Sequence, residues 1–147
     1  LKDAGCYEVG IGIETADPIA HKFNKGVELS KTWEGIWSAY DAGLEVRLFF
    51  IMGLPYDEGN ISNRTISFLK SMPPSLVGVH LNIFRAWPGS LSGDNPEKYG
   101  VKILSQPNSI LVQDEQPLFT GDAGASDLEK HYHEIRGYIK DRGWILG

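Results

Sequence analysis

Residues 45–52 read EVRLFFIM, and Gly53, Leu54 and Pro55 follow them directly. Toward the end of this run, apolar side chains occupy both alternating sets of positions. This pattern is typical of a strand in a parallel sheet that is covered on both faces. Glycine and proline are strong signals for a turn at its end. The segment therefore predicts a buried parallel strand, and with it a fold of the α/β class.

Two further strands are predicted on either side of this one in the sequence. Residues 6–14 carry an apolar side chain at every second position, which is the period of a strand. Residues 76–84 read LVGVHLNIF and form a third apolar run. Helical patterns separate the three strands, and this alternation predicts parallel pairing with right-handed crossovers.

Four helices are predicted from capping residues and from apolar side chains at helical spacing. Asp17 followed by Pro18 is a favourable start for a short helix that ends near Gly26. Ser30 is expected to cap a second helix, and a third spans about residues 60–71. The predicted buried faces are Trp33, Ile36, Trp37 and Tyr40 in the second helix, Ile61, Thr65, Phe68, Leu69 and Met72 in the third, and Leu128, Tyr132, Ile135 and Ile139 in a fourth that begins at the capping box Ser126–Glu129.

The chain is predicted to have two parts. Residues 1–90 contain the strand–helix repeat, and residues 91–147 form a C-terminal extension that is irregular at first and then helical. A hairpin between residues 101–104 and 110–113 is expected in the irregular segment. The chain opens on LKDAG without a Met, which is typical of a last helical turn with a glycine cap, so we expect a piece of a longer protein.

The composition excludes several classes of protein. The chain has 147 residues, 41% hydrophobic and 22% charged, which is typical of one globular domain. A net charge of −5 argues against a general nucleic-acid binder and favours a small-molecule substrate. The one cysteine, Cys6, excludes an internal disulfide and a zinc or iron–sulfur site built from cysteines of this chain alone. We expect a reducing, cytoplasmic location.

Candidate site residues follow the predicted strands, because ligands of parallel α/β folds bind beyond the carboxyl ends of the strands. The carboxylate of Glu14 can accept hydrogen bonds from a ribose diol, cap the next helix or pair with Lys25. Gly53 allows a flat ring or a backbone to approach, or forms a simple turn. Trp87 is a packed aromatic residue or a pocket wall, and Arg85 can bind a carboxylate or a phosphate.

The remaining reactive side chains are expected to have structural roles. His131 and His133 are two residues apart on a helix, so they face different directions and are poor candidates for a metal site. His80 is expected to face one side of its strand and to be satisfied by a neighbour. Cys6 is expected to be a small buried residue rather than a nucleophile. No Ser/His/Asp constellation is evident from the sequence.

Three blocks of sequence carry a resemblance to a known family. They read AGCYEVGIGIETADP at residues 4–18, KFNKGVELSKTWEGIWSAYDAGLEVRLFFIMGLPYDE at residues 22–58, and MPPSLVGVHLNIFRAWPGS at residues 72–90. In this order and spacing, the chain resembles the radical S-adenosylmethionine (radical SAM) superfamily from Leu1 to about Ser90. It looks closest to the subgroup of anaerobic magnesium-protoporphyrin ester cyclase-like proteins and methyltransferases, whose members often carry an upstream cobalamin-binding domain.

The resemblance implies a fold and a set of site residues. The strands would be the fourth to sixth of a partial (β/α)6 TIM-like barrel, followed by the irregular and helical extension. The residues implied at the bound S-adenosylmethionine and its substrate are Gly12, Glu14 and Thr15 at the ribose, Lys25 near the methionine carboxylate, Ile51, Gly53 and Leu54 against the adenine, and Arg85 and Trp87 on the substrate side.

The sequence departs from the family pattern in two places. Tyr56 and Asp57 stand where the family has Gly and Glu. The CxxxCxxC motif that holds the family's 4Fe-4S cluster is absent from the 147 residues. The cluster ligands would then lie outside this chain, and the isolated chain is expected to be inactive. The parent protein would cleave S-adenosylmethionine reductively, as an oxidoreductase or cyclase, or would transfer methyl groups, and the subgroup allows cobalamin as a further cofactor.

Two alternatives stay open, namely a fragment of another TIM-like barrel enzyme and a non-catalytic α/β module that binds a partner. A barrel enzyme that binds phosphate at its strand ends needs a glycine-rich loop opening a helix, which the sequence lacks. Half a barrel leaves two open sheet edges, so we expect the chain to associate with itself. We expect a small-molecule substrate, and binding to neither nucleic acid nor a membrane.

Overall fold

A parallel sheet of four strands organises the fold. The computed structural model describes residues 1–54, 59–103, 119–120 and 125–147. The strands are β1 (Glu8–Glu14), β2 (Glu45–Met52), β3 (Leu76–Ile83), β4 (Lys102–Ile103), β5 (Phe119–Thr120) and β6 (Ile145–Leu146). The parallel sheet has the order β1-β2-β3-β6, and a two-stranded sheet pairs β4 with β5 in antiparallel fashion.

Helices alternate with the first three strands, as predicted for an α/β fold. Among the residues described, no helix combines the length and the apolar character needed to cross a membrane. The helices are α1 (Pro18–Lys25), α2 (Leu29–Asp41), α3 (Ile61–Lys70), α4 (Leu91–Asp94) and α5 (Ala125–Asp141), with short 3₁₀ turns at Lys2–Ala4 and Pro96–Tyr99.

The main hydrophobic core lies on one face of the parallel sheet. In β2, every second side chain is buried, and Leu48 is opposite Ile11 in β1 and Val79 in β3. A one-residue slip in this register would turn the buried set toward the other face, so burial specifies the pairing. The fully or almost fully buried members of the core are Ile13, Ile36, Val46, Leu48, Phe50, Met52, Leu69, Val79, Leu128, Ile135 and Ile139.

The opposite face of β2 is only half-buried, so the prediction of a strand covered on both faces is wrong. The helices cover one face, and Arg47, Phe49 and Ile51 point to the other. Glycines on the neighbouring strands leave room for these side chains. A Cβ at Gly10 would lie 2.9 Å from Phe49 Cε2, and one at Gly78 would lie 2.6 Å from Arg47 Nη1.

The helix predictions hold for α1 and α3 and fail in part for α2 and α5. Helix α5 already includes Ala125, so Ser126 is not its N-cap and the predicted start at a capping box is wrong. Asp17 caps α1 as predicted, accepting hydrogen bonds from the first amides of the helix. Helix α2 begins at Leu29 without a side-chain cap, so Ser30 is not its N-cap. Trp33 and Tyr40 are 36% and 37% exposed, and of the predicted face only Ile36 is buried. The aromatic residues of α2 pack against one another along the surface, with Trp33 and Trp37 ring centroids 5.6 Å apart.

The C-terminal extension packs onto the strand–helix repeat. Helix α5 presents the predicted apolar face, with Leu128, Ile135 and Ile139 buried. The chain then adds β6, a strand that the sequence did not predict, parallel to β3. Strand β4 pairs with β5, whereas the predicted hairpin partner, residues 110–113, lies outside the described residues.

We predict that Leu48→Ala destabilises the protein strongly, because Leu48 is fully buried at the centre of the sheet. The expected loss in the free energy of unfolding is about 2–5 kcal/mol, measured by urea denaturation. Leu91 is 74% exposed, and Leu91→Ala is the matched control, expected to change stability by less than about 0.5 kcal/mol. Equal losses in the two variants would contradict this assignment of the core.

We also predict concentration-dependent self-association through the edge of the sheet. Strand β1 is the first in the sheet order, so in the described part of the chain no strand covers its outer edge. Sedimentation velocity should show dimers that grow with protein concentration. Tyr7, 71% exposed just before β1, offers a test, since Tyr7→Lys places a charge at the edge and should weaken association. A monomer at every concentration would contradict the prediction.

Candidate functional site

A cleft lies at the carboxyl ends of β2 and β3, where ligands bind in parallel α/β folds. Its volume is about 670 Å³, which is within the range of small-molecule sites. Four of the residues predicted from the sequence meet in it. The lining residues are Ile51, Leu54, Leu81, Asn82, Ile83, Phe84, Arg85, Trp87 and Tyr132.

The cleft combines apolar and aromatic walls with a few polar groups. Trp87 is 40% exposed, and the side chain of Tyr132 is half-buried. Asn82 is opposite Ile51 in the β2–β3 pairing, on the half-open face of the sheet, and its side chain is exposed. A carboxamide offers both a donor and an acceptor. The site can therefore hold a flat, partly apolar molecule that has polar atoms on its edge.

Glu14 forms an ion pair with Lys25 at the carboxyl end of β1. Lys25 Nζ lies 2.8 Å from Glu14 Oε1, which is one of the arrangements foreseen from the sequence. The pair lies over Gly12, where a Cβ would be 2.6 Å from Glu14 Oε1. Glu14 is opposite Phe50 in β2, next to Ile51 of the cleft. A carboxylate has about four acceptor positions, so the ion pair leaves acceptor capacity on Glu14.

The backbone at Glu14 is strained and is held by the turn that follows. Its φ is +64°, in the left-handed region, and the pairing with β2 is irregular between Gly12 and Glu14. Such strain persists where surrounding contacts specify the conformation. Thr15 is 4% exposed, and its Oγ1 accepts a hydrogen bond from Asp17 N at 3.0 Å. Asp17 in turn forms an ion pair with Arg64 of α3. Thr15 therefore organises this turn.

His21 of α1 also stabilises this turn, and it was not identified as a candidate from the sequence. It is fully buried. Its Nδ1 lies 2.8 Å from Ile13 O of β1, and its Nε2 lies 2.9 Å from Thr32 Oγ1 of α2. Both ring nitrogens thus have partners inside the protein. The histidine joins β1 to α2 and supports the position of Glu14.

Gly53 forms the turn after β2, with a φ of +76°. Its missing side chain makes room for Leu128 of α5, because a Cβ at Gly53 would lie 2.9 Å from Leu128 Cδ1. The close approach foreseen for Gly53 is thus made by a side chain of the C-terminal extension. Gly53 is buried and does not line the cleft, whereas Leu54 beside it does.

Ser62, His131 and Glu134 form a polar cluster between α3 and α5 that the sequence did not reveal. Ser62 is 2% exposed, and its Oγ donates to Glu134 Oε2. The ionised carboxylate only accepts, and Ser62 has one proton to donate. His131 Nδ1, 2.9 Å from Ser62 Oγ, must therefore carry a proton and donate it to the hydroxyl. The donated hydrogen bond from Ser62 lowers the pKa of Glu134 below its ordinary value of 4.5.

The cluster is a helix-to-helix contact rather than a nucleophilic triad. In a triad, the carboxylate orients the imidazole, which takes the proton of the hydroxyl. Here the hydroxyl donates to Glu134 and accepts from His131. His131 lies three residues after Leu128 and four before Ile135, on the buried side of α5, and this spacing is the signal that could have found it.

A second ion pair lies at the amino-terminal end of the sheet, away from the cleft. Arg47 Nε is 2.9 Å from Glu8 Oε1, and Nη2 is 3.1 Å from Oε2. The hydrogen bonds from Arg47 lower the pKa of Glu8, and those with Glu8 raise the pKa of Arg47. Cys6 is at this end too, half-buried, with Sγ donating to Glu8 O at 3.4 Å. The ranges covered by the structure contain no group of three His, Cys, Asp or Glu side chains that could hold a metal ion.

His80 packs as the sequence predicted, against a neighbour on the same face of the sheet. Its ring is stacked on Phe49 with the centroids 4.7 Å apart and the planes 18° apart. His133 faces away from His131 and lies 3.8 Å from Glu129 on the exposed side of α5. Neither histidine belongs to the cleft.

No family model, curated protein or solved structure matches the chain. The function proposed below therefore rests on the residues of the cleft, on the Glu14–Lys25 pair and on the resemblance found in the sequence motifs.

We predict that the pKa of Glu134 rises toward its ordinary value of 4.5 in Ser62→Ala, because the hydrogen bond from the hydroxyl is lost. Carbon-detected NMR titration of the carboxyl group measures it directly. The folded-state pKa is lowered, so the stability contributed by Glu134 is present above pH 4.5 and is lost as the pH falls through the lowered pKa.

The control for this titration is His133→Ala on the exposed side of α5. It should leave the titration of Glu134 unchanged, since His133 pairs with Glu129 instead. A Glu134 titration that is the same in the wild type and in Ser62→Ala would contradict the hydrogen bond.

Proposed function

We propose that the chain forms the ribose- and adenine-facing side of an S-adenosylmethionine site in a cytoplasmic radical SAM enzyme. One observation carries this proposal. The sequence motifs assign Ile51 and Leu54 to the adenine, and Arg85 and Trp87 to the substrate side, and these four residues line a single cleft. Their positions span more than thirty residues of sequence, so their meeting is a property of the fold.

The chemistry of the cleft suits an adenine ring. Trp87 and Tyr132 offer aromatic surface, on which a base can stack. The exposed amide of Asn82 matches the edge of adenine, where an amino donor lies next to a ring nitrogen acceptor. Ile51 and Leu54 supply apolar surface. The cleft would therefore bind the base by packing and by a small number of directed hydrogen bonds.

The Glu14–Lys25 pair suits the ribose of the same ligand. Glu14 is opposite Phe50, so its carboxylate lies at the same end of the sheet as Ile51. A carboxylate accepts hydrogen bonds from both hydroxyls of a diol, and charge-assisted bonds of this kind are strong. Lys25 orients the carboxylate through the ion pair. Thr15 is engaged by the turn and supports Glu14 from the neighbouring position.

The residues of this chain do not fit an iron–sulfur cluster. Its one cysteine, Cys6, precedes β1 and is at the opposite end of the sheet from the cleft. The proposal therefore assigns the cluster ligands to another part of the parent protein. That cluster would supply the electron for reductive cleavage of S-adenosylmethionine, and this chain would bind and orient the adenosyl group. No residue described here is assigned to cobalamin.

The test is the binding of S-adenosylhomocysteine, which carries the adenosyl group and needs no cluster to bind. Isothermal titration of the full chain should give a dissociation constant below about 1 mM. Glu14→Gln should weaken binding by roughly tenfold, because a charge-assisted hydrogen bond to the ribose is lost. Inosine should compete less well than adenosine, since it lacks the amino group that Asn82 would contact.

Glu34→Gln is the matched control for this experiment. Glu34 forms an ion pair with Lys31 at 2.8 Å, as Glu14 does with Lys25, but on the exposed surface of α2. Glu34→Gln should leave the affinity for S-adenosylhomocysteine unchanged. A chain that binds no adenosyl ligand, or equal affinities for Glu14→Gln and Glu34→Gln, would overturn the proposal and favour a partner-binding module.

A further inference from the structure

Tyr132 reaches the cleft from outside the strand–helix repeat. It belongs to α5, in the C-terminal extension, yet it lines the cleft together with Ile51, Leu54 and Trp87. Its ring is half-buried, so part of its surface faces the space that a ligand would fill. The sequence motifs assign no role to this residue. It is the contribution of α5 to the cleft.

Helix α5 is held against the sheet by apolar contacts on one side. Leu128 packs over Gly53 at the end of β2, one turn before Tyr132. Ile135 and Ile139 are fully buried in the core. These contacts fix the distance of α5 from the sheet. They are non-directional, so they allow the helix some freedom to roll about its own axis.

The Ser62–His131–Glu134 cluster removes that freedom because hydrogen bonds are directional. His131 and Glu134 lie one turn apart on α5, and both form hydrogen bonds with the Ser62 hydroxyl of α3. Tyr132 is the next residue after His131, and successive residues of a helix project about 100° apart. One side chain therefore contacts α3 while its neighbour faces the cleft. We expect a change at the cluster to rotate α5 slightly and so to move the ring of Tyr132.

We propose that Tyr132 contacts the ligand in the cleft, and that Ser62, His131 and Glu134 are positioning residues that hold Tyr132 in place. The identity of the ligand as an adenosyl compound rests on the proposed function. The positioning itself depends only on the contacts between α3, α5 and the cleft.

A double-mutant cycle with S-adenosylhomocysteine as the probe tests the proposal. Tyr132→Ala should weaken binding by about tenfold through loss of aromatic contact. Ser62→Ala breaks both hydrogen bonds at a buried position and should weaken binding several-fold. The double variant should bind no more weakly than Tyr132→Ala, because the cluster acts through Tyr132. Independent, multiplicative losses, or an unchanged affinity in Ser62→Ala, would overturn the positioning role.

If the cluster were only structural, Ser62→Ala would lower the thermal midpoint without changing the affinity for S-adenosylhomocysteine, so the midpoint and the affinity are both measured. The thermal midpoint of Ser62→Ala should fall, and titrations well below that midpoint compare folded proteins only. Ser38→Ala is the matched control, because the Ser38 hydroxyl donates a hydrogen bond to Glu34 O on the exposed surface of α2. It should leave affinity and midpoint unchanged. An unchanged affinity in Tyr132→Ala would overturn the ligand contact.

A readout without ligand separates this inference from the proposed function. The indole ¹H–¹⁵N resonance of Trp87, assigned with Trp87→Phe, reports on the shape of the cleft. It should shift in Ser62→Ala and stay in place in Ser38→Ala. In one outcome, the wild type binds no adenosyl ligand while the Trp87 resonance still shifts in Ser62→Ala. That result would overturn the proposed function and the ligand contact of Tyr132, and it would support the positioning role of the cluster. A resonance that stays in place would overturn the positioning role.

Discussion

The burial of one face of β2 is the constraint on which the other features depend. Val46, Leu48, Phe50 and Met52 are all at most 2% exposed beneath the helices. Because side chains alternate along a strand, this burial turns Arg47, Phe49 and Ile51 toward the other face. It also fixes the register with β1 and β3, since a slip would reverse both sets. The alignment of Asn82 with Ile51 follows from this register, whereas Glu14 is opposite Phe50 because the β1–β2 pairing is irregular between Gly12 and Glu14.

The end of β1 shows how the fold stabilises an unfavourable backbone for a polar residue. Glu14 has a left-handed conformation that costs free energy for a side chain of its kind. The turn after it is secured by Thr15, by the Asp17–Arg64 pair and by the buried His21, which connect it to α1, α2 and α3. Three helices thus support one carboxylate. Such an arrangement is typical of a side chain whose position matters for binding.

The C-terminal extension completes the cleft. Strand β6 pairs with β3 at Gly78 and Val79. The cleft lies closer to the carboxyl end of β3, along residues 81–83 and along residues 84–85 that follow the strand. Helix α5 brings Tyr132 to it and covers Gly53 with Leu128. The division at residue 90 that the sequence predicts separates two patterns of sequence, but the two parts share one core.

The sequence by itself determined the features that depend on near neighbours. The strand at residues 45–52, the cap at Asp17 and the apolar face of α5 follow from local patterns, and each is present in the structure, although β2 is buried on one face and not on both. Arg85 and Trp87 were named because ligands bind beyond the ends of parallel strands, and the family resemblance added Ile51 and Leu54; these four residues line the cleft. Tertiary structure alone decided the contacts between distant residues. Ser62 and His131 are 69 residues apart, and no local pattern couples them. The exposure of Trp33 and the packing of Leu128 on Gly53 likewise depend on which surfaces the fold brings together.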